Sequence, residues 1–334
     1  MSKRSFVYLL FISSALLVIA IISVLIQPQF ETKINKGENI FKNFNSDINN
    51  IKEIKVNNGL NEVVIRKDSI GWVMQNKYNY KVKDDVVREN LIQVTQLRFF
   101  EKKTEDPSLY SRLDLHYPND AEGNSKLISI FNEDNEVLSE FILGKTKKNG
   151  VYIRKKGHQN TWLTNGILSM PIDQNDWLET KIFDIKNESI KKIELNHSND
   201  TKLIVSKKTR EEENFMINNL PKGETPKSDL IANFLSYFLS NLIFEDVIER
   251  KEAIKENFIT EAEFELFNDI VINTIVFKDG DNKWINFNID ENSNQKLKND
   301  NLIQVSNIGN WTYKLPKTKY NTIDTKLKDL LVED

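Results

Sequence analysis

The chain has 334 residues, 46 of them basic and 49 acidic, with three histidines, no cysteine and a formal net charge of −3. The missing cysteines exclude disulfides, thiolate nucleophiles, cysteine-ligated zinc and iron–sulfur clusters, and the even charge with no basic block argues against nucleic acid as a partner. A chain of this length can bury its own core, and about two domains fit it.

Residues Phe6 to Ile26 carry no charge and no proline and follow Met1-Ser2-Lys3-Arg4 directly. As a helix, about 21 residues span roughly 31 Å, the depth of a bilayer's hydrocarbon core. The two cations precede the run, so the N-terminus is expected in the cytoplasm and the body outside it. The flank from Val24 to Gln29 holds no pair of small residues for cleavage, and no cysteine follows for lipid attachment. A single-pass anchor at 6–26 is therefore expected, after a cytoplasmic tip at 1–5 and before a polar juxtamembrane stalk at 27–50. The abundance of Lys, Asn and Ile points to an AT-rich bacterial genome, hence to an inner-membrane anchor with a periplasmic body.

The body shows self-similarity at a spacing of about 140–150 residues. Ile51 to Val56 returns as Ile190 to Leu195, Val63 to Lys67 as Leu203 to Lys207, and Trp72-Val73-Met74 as Phe215-Met216-Ile217. These short β-branched runs, separated by Asn, Gly or Asp, read as strands of an antiparallel meander. A helix is expected next in each copy. Asp84 precedes Val87, Leu91 and Val94; Ser228 precedes Ile231, Leu235, Phe238 and Leu242. The spacing of three and four places each set on one face, with Asp84 and Ser228 as N-caps. Beyond the helices, Leu127–Phe131 is matched with Thr274–Phe277, Val151–Ile153 with Leu302–Gln304, and Thr161–Leu163 with Thr312–Lys314.

The expected fold class is α+β: an N-terminal transmembrane helix followed by two similar repeats, each an antiparallel sheet with one main helix. The repeats are placed at 51–170 and 190–316. A linker at 171–189 is expected to carry a short amphipathic helix, and 317–334 forms a C-terminal tail.

Catalytic motifs are weak. Gly144-Lys145-Thr146 resembles the end of a phosphate-binding loop, but Ser139 stands where that loop needs glycine and no helix is expected to follow, so a hairpin loop is the reading. His116, His158 and His197 form no helical pair and have no carboxylate at metal-ligand spacing. His158 and His197 are expected on the surface, and His116 in a structural loop with Tyr110 and Tyr117. The acidic loops at Glu133–Glu136 and Asp279–Asp281 lack calcium-ligand spacing and read as turns. No serine sits in a glycine-flanked elbow. No catalytic, cofactor or metal site is expected, and no enzyme. Tyr110, Tyr117, Tyr152 and Trp162 are candidates to line a groove between the repeats, and Trp177 is a candidate linker contact.

Several segments in order carry a family resemblance: Gly37 to Phe41, Ile48 to Val56, Leu143-Gly144-Lys145, Val151 to Arg154, Thr161 to Leu163, Asp176-Trp177-Leu178 with Ile182 to Ile185, and Phe244 to Val247. Together they resemble the bacterial family known as domain of unknown function 4340, from about residue 37 to the end of the second copy. The resemblance implies an accessory or scaffold role, acting by protein binding, beside an ABC permease and a gliding-motility auxiliary-type protein. It implies no catalytic residues. The alternative is a binder of cell-wall glycan, lipid or a small ligand in the groove between repeats.

Overall fold

Alternation of apolar and polar residues dictates strands throughout. The structure is a computed structural model that describes residues 37–332, apart from 43, 70, 119–123, 199–201, 254–256 and 306. After the short helix α1 (Phe44–Asp47) come β1 (Ile51–Asn57), β2 (Glu62–Asp68), β3 (Gly71–Met74) and β4 (Tyr80–Lys81). Helix α2 (Asp84–Gln96) is followed by β5 (Arg98–Lys102), β6 (Lys126–Asn132), β7 (Val137–Lys147), β8 (Gly150–Lys155) and β9 (Thr161–Asn165). These nine strands form one antiparallel sheet in the order β4-β3-β2-β1-β6-β7-β8-β9-β5.

The second half contributes β10 (Lys181–Phe183), β11 (Ile190–His197), β12 (Leu203–Ser206), β13 (Met216–Ile217), β14 (Leu242–Ile243) and β15 (Asp246–Glu249). It continues with β16 (Phe258–Leu266), β17 (Val271–Asp279), β18 (Asn282–Asn288), α3 (Glu291–Asn299), β19 (Trp311–Lys314) and α4 (Lys317–Ile323). Eight strands make a second antiparallel sheet, β13-β12-β11-β16-β17-β18-β19-β15, and β10 pairs with β14. The two large sheets share one strand order, with β1 in the place of β11, β6 of β16 and β9 of β19. Small side-chain devices recur with it. Asn76 Oδ1 accepts the Val64 amide at 3.2 Å and Asn219 Oδ1 the Ile204 amide at 3.0 Å. Thr161 Oγ1 accepts the Thr104 amide at 2.9 Å and Thr312 Oγ1 the Lys251 amide at 2.8 Å. Lys83 N donates to Trp177 O and Lys227 N to Leu330 O.

The α+β expectation of one main helix per repeat is corrected. The described residues hold three antiparallel sheets and four α-helices, of which α2 alone exceeds nine residues. The segment after Ser228 forms turns and a short 3-10 helix, Asn233–Tyr237. Its polar side chains compete for the backbone. Asn233 Oδ1 takes the Phe215 amide at 2.9 Å, and Ser236 Oγ donates to Asn233 O at 2.7 Å. Lys319 Nζ then donates to the carbonyls of Tyr237, Phe238 and Ser240 at 2.7, 2.9 and 2.6 Å, which withdraws acceptors an α-helix would use. Nor is Asp84 an N-cap: it lies in the first turn of α2, with Lys83 at the cap, where its charge faces the helix dipole. Among the described residues no helix is long and apolar enough to cross a membrane; the run Phe6–Ile26 lies outside them.

Other boundaries also move. The expected stalk is part of the body from Gly37 onward: Ile40, Phe41 and Phe44 are core residues, and Ile40 N bonds to Leu97 O beside β5. The expected tail contributes Ile323, Leu327, Leu330 and Leu331 to the same core. The linker helix is a 3-10 turn, Gln174–Asp176, followed by the extended β10, and Trp177, Leu178, Ile182, Phe183 and Ile185 are all buried. The expected match of Leu127–Phe131 with Thr274–Phe277 slipped by one strand, since sheet order aligns β6 with β16. One continuous apolar core runs under both sheets.

Candidate functional site

The first sheet ends at β4, and this edge meets the far edge of the second. The Tyr80 ring packs edge-on against Phe244 (5.4 Å between centroids), Trp311 (5.0 Å) and Tyr313 (6.3 Å). Trp177 is completely buried beside them, its indole Nε1 donating to Pro171 O at 2.9 Å. Above lies a groove of about 450 Å³, lined by Asn61, Lys77, Gln174, Asn175, Glu245 and Asp246. Its polar groups serve the joint itself. Lys77 Nζ pairs with Asp246 at 2.6 Å, Asn175 Nδ2 donates to Glu245 O at 2.8 Å, and Gln174 Nε2 to Glu62 O at 3.3 Å.

The joint carries a pH prediction. Burial raises the Tyr80 hydroxyl well above the usual tyrosine range, with the neighbouring Tyr313 and Glu179 adding to the effect, and burial likewise raises Tyr313. Below about pH 10 both folded and unfolded chains keep these protons, so the stability is fully present. Above it the unfolded tyrosines ionise while the folded ones stay neutral, so stability falls as pH rises. Urea midpoints measured on either side of about pH 10 should show this fall. Tyr80→Phe, which removes one titrating group, should make it shallower.

The aromatic candidates do not line this groove. Tyr110 and Tyr152 are buried in a small cluster with Leu115, Ile142 and Leu163, and Tyr117 packs against it. They lie on the outer face of the first sheet, beneath a 3-10 turn at Pro107–Leu113. Arg154 fills the space between two of the rings, its guanidinium carbon 4.5 Å from the centre of Tyr110 and 4.9 Å from Tyr117, with Nε donating to Leu115 O at 2.9 Å. Trp162 points the other way, because its cross-strand partner is the core residue Ile153, and its ring meets Phe99 edge-on at 4.7 Å. Trp177, the candidate linker contact, lies fully buried in the joint and presents no surface to a ligand or partner.

His197, expected on the surface, is buried between sheet and C-terminal segment: Nδ1 contacts Thr260 Oγ1 at 2.5 Å and Nε2 contacts Thr325 O at 2.8 Å. His158 is exposed, as expected. The Asn132 loop is a turn: Asn132 Oδ1 accepts the amides of Asp134 and Glu136, and Asn135 has φ 61°. Among the described residues no group of three or more His, Asp or Glu is placed to hold a metal ion.

One surface stands out by its composition. Leu230, Phe234 and Tyr237 are 60%, 39% and 53% exposed, while Ala232, Leu235, Phe238 and Leu239 from the same turns are buried. The segment is apolar on both sides, and the outward stripe was not foreseen because the helical pattern assigns only the inward side. Solvent-facing apolar groups at successive turns mark interaction surfaces more often than isolated ones do.

A family model described as Domain of unknown function (DUF4340) matches residues 72–259, from β3 across the joint into β16. No curated protein and no solved structure matches.

Proposed function

Since the chain belongs to the family described as Domain of unknown function (DUF4340), we propose that it is a membrane-anchored periplasmic accessory or scaffold subunit of an ABC-type envelope export system, acting by binding protein. The observation that carries the reading is the outward stripe Leu230, Phe234 and Tyr237 on a body held rigid by one core. The apolar run Phe6–Ile26 would hold that body beside a permease and raise its effective concentration there. Aromatic side chains presented on an ordered surface are the residue types that dominate interface energies.

The test uses the full-length chain, extracted from its native membrane in mild detergent. The wild type should bring down an ABC permease and its ATPase. The double variant Phe234→Asp, Tyr237→Asp should lose them by about ten-fold or more while keeping the wild-type circular dichroism, since both side chains are partly exposed and only the Asn187 Nδ2 hydrogen bond to the Tyr237 hydroxyl is given up. Recovery of the wild type alone, or equal recovery with the double variant, overturns the proposal.

A further inference from the structure

The two sheets differ on their outer faces. In the first, the segment after β5 folds back over Ile142, Tyr152 and Leu163, so its own chain covers the face. In the second, the connection from β15 to β16 is only eight residues, 250–257, and one end of the face, at Phe277 and Trp284, is buried. The rest is a trough. Glu194 and Asn196 of β11, Glu261 and Glu263 of β16, and Asn273 and Ile275 of β17 line a hollow of about 310 Å³. Asn273 faces Asn288 across the β17–β18 ladder, and this pair also lines a second hollow of about 590 Å³ with Arg250, Asn294, Asn307 and Asn310. Sharing the pair makes the two hollows one trough over four adjacent strands, about 14 Å across the sheet.

The chemistry of its walls narrows the occupant. Glu194 is paired with Lys192 at 2.8 Å and Lys202 at 2.5 Å, Arg250 is paired with Glu252 outside the trough at 2.7 Å, and Glu261, Glu263 and Asp290 add carboxylates to the walls, so the trough is not built for a polyanion and offers acceptors to hydroxyl donors. Side-chain amides dominate it. Each presents a donor and an acceptor in one plane, the pattern that pairs with neighbouring hydroxyls or with another amide. The Asn288 amide is held in orientation by Arg250 Nη2, which donates to its Oδ1 at 2.8 Å. Asn294 Oδ1 is buried with no hydrogen-bond partner among the described residues, an acceptor that invites a donor from a ligand. Ile275, half-buried among these polar groups, offers one apolar contact of methyl size. At the places equivalent to Asn273 and Asn288 the first sheet instead closes an ion pair, Glu140 with Lys156 at 2.8 Å.

We propose that this trough binds a neutral glycan chain bearing acetamido groups: hydroxyls on the asparagine and glutamate side chains, the acetamide paired with a side-chain amide, and its methyl group on Ile275. The site is separate from the Phe234 stripe and does not depend on it.

The experiment is saturation-transfer NMR and calorimetry on the full chain in detergent. The probe is a β-1,4-linked tetramer of N-acetylglucosamine, and the comparison ligand is the glucose tetramer of the same linkage. The acetamido tetramer should bind, with transfer strongest at its acetyl methyl groups, and the glucose tetramer should bind at least about ten-fold more weakly. Asn273→Thr, which keeps strand propensity without the amide, and Ile275→Lys should each weaken binding by about ten-fold with an unchanged melting point. Should either variant melt early, Asn196→Ala, exposed at the other wall, replaces it. The Phe234→Asp, Tyr237→Asp variant should bind the tetramer as the wild type does. Absence of transfer to the acetamido tetramer, equal affinity for both tetramers, or binding indifferent to the trough variants overturns the proposal.

Discussion

Trp177→Ala is expected to lower the stability of the chain by roughly 3–5 kcal/mol, the cost of emptying a fully buried large aromatic site. Three observations place the effect at the joint. Trp177 has no exposed surface, its Nε1 donates to Pro171 O, and its own carbonyl accepts the Lys83 amide at 2.8 Å beside β4. The cavity would open beneath Tyr80, whose contacts with Phe244, Trp311 and Tyr313 tie the two sheets together. Loss at an interface between two units weakens their coupling as well as the total. Urea unfolding should therefore move to lower midpoint and broaden or split into two transitions, followed by near-ultraviolet circular dichroism. A single transition shifted by less than about 1 kcal/mol would show that the joint does not depend on this residue.

Gly144→Ala should be nearly as damaging, for a steric reason. A Cβ at this position would stand 2.2 Å from Leu113 O and 2.9 Å from Asp114 O, with Leu115 Cδ2 also at 2.9 Å. Two of these three atoms are backbone, so the segment covering the first sheet must lift rather than a side chain rotate. Lifting it exposes Tyr110 and Leu115 and parts Arg154 Nε from Leu115 O. Overpacking of this kind costs about 1–3 kcal/mol, more where the backbone cannot give. Trypsin should cut after the exposed Arg112 much faster in Gly144→Ala than in the wild type. Gly309→Ala, where an added Cβ meets nothing within 4 Å, should be neutral in the same assay. Equal cleavage of all three proteins would contradict the close approach. The same contact explains Gly144-Lys145-Thr146: the glycine serves strand-to-loop contact, and β8 follows it with no helix between.

The candidate sites were legible in part. Trp177 was singled out as a linker residue, and the structure places it fully buried. Tyr110, Tyr117 and Tyr152 do come together, but around Arg154 on an outer face. Trp162, one residue from Leu163, takes the opposite face, since a strand turns successive side chains to opposite sides. The trough was not legible. Glu194, Glu261, Asn273 and Asn288 come from four strands, and in each strand they read as ordinary solvent-side alternation.

What the amino-acid sequence determined alone is local. Period-two alternation and turn residues such as Asn132 set most strands, and the spacing of Val87, Leu91 and Val94 set α2. Membership in the family was also readable, from short segments in a fixed order. What only the tertiary structure decided rests on distant contacts. Ser228 to Leu242 has the apolar spacing of a helix, yet Lys319, some eighty positions away, gathers its carbonyls, and Asn233 turns to Phe215. Ile40 and Phe41 look like stalk until Leu97, just before β5, supplies a carbonyl for the Ile40 amide and both side chains enter the core. His197 looks solvated until the Thr325 carbonyl arrives from the C-terminal segment. Periodicity records which residues share a face; which face then meets which is decided by burial and hydrogen bonding between segments far apart in the chain, and no local pattern encodes that choice.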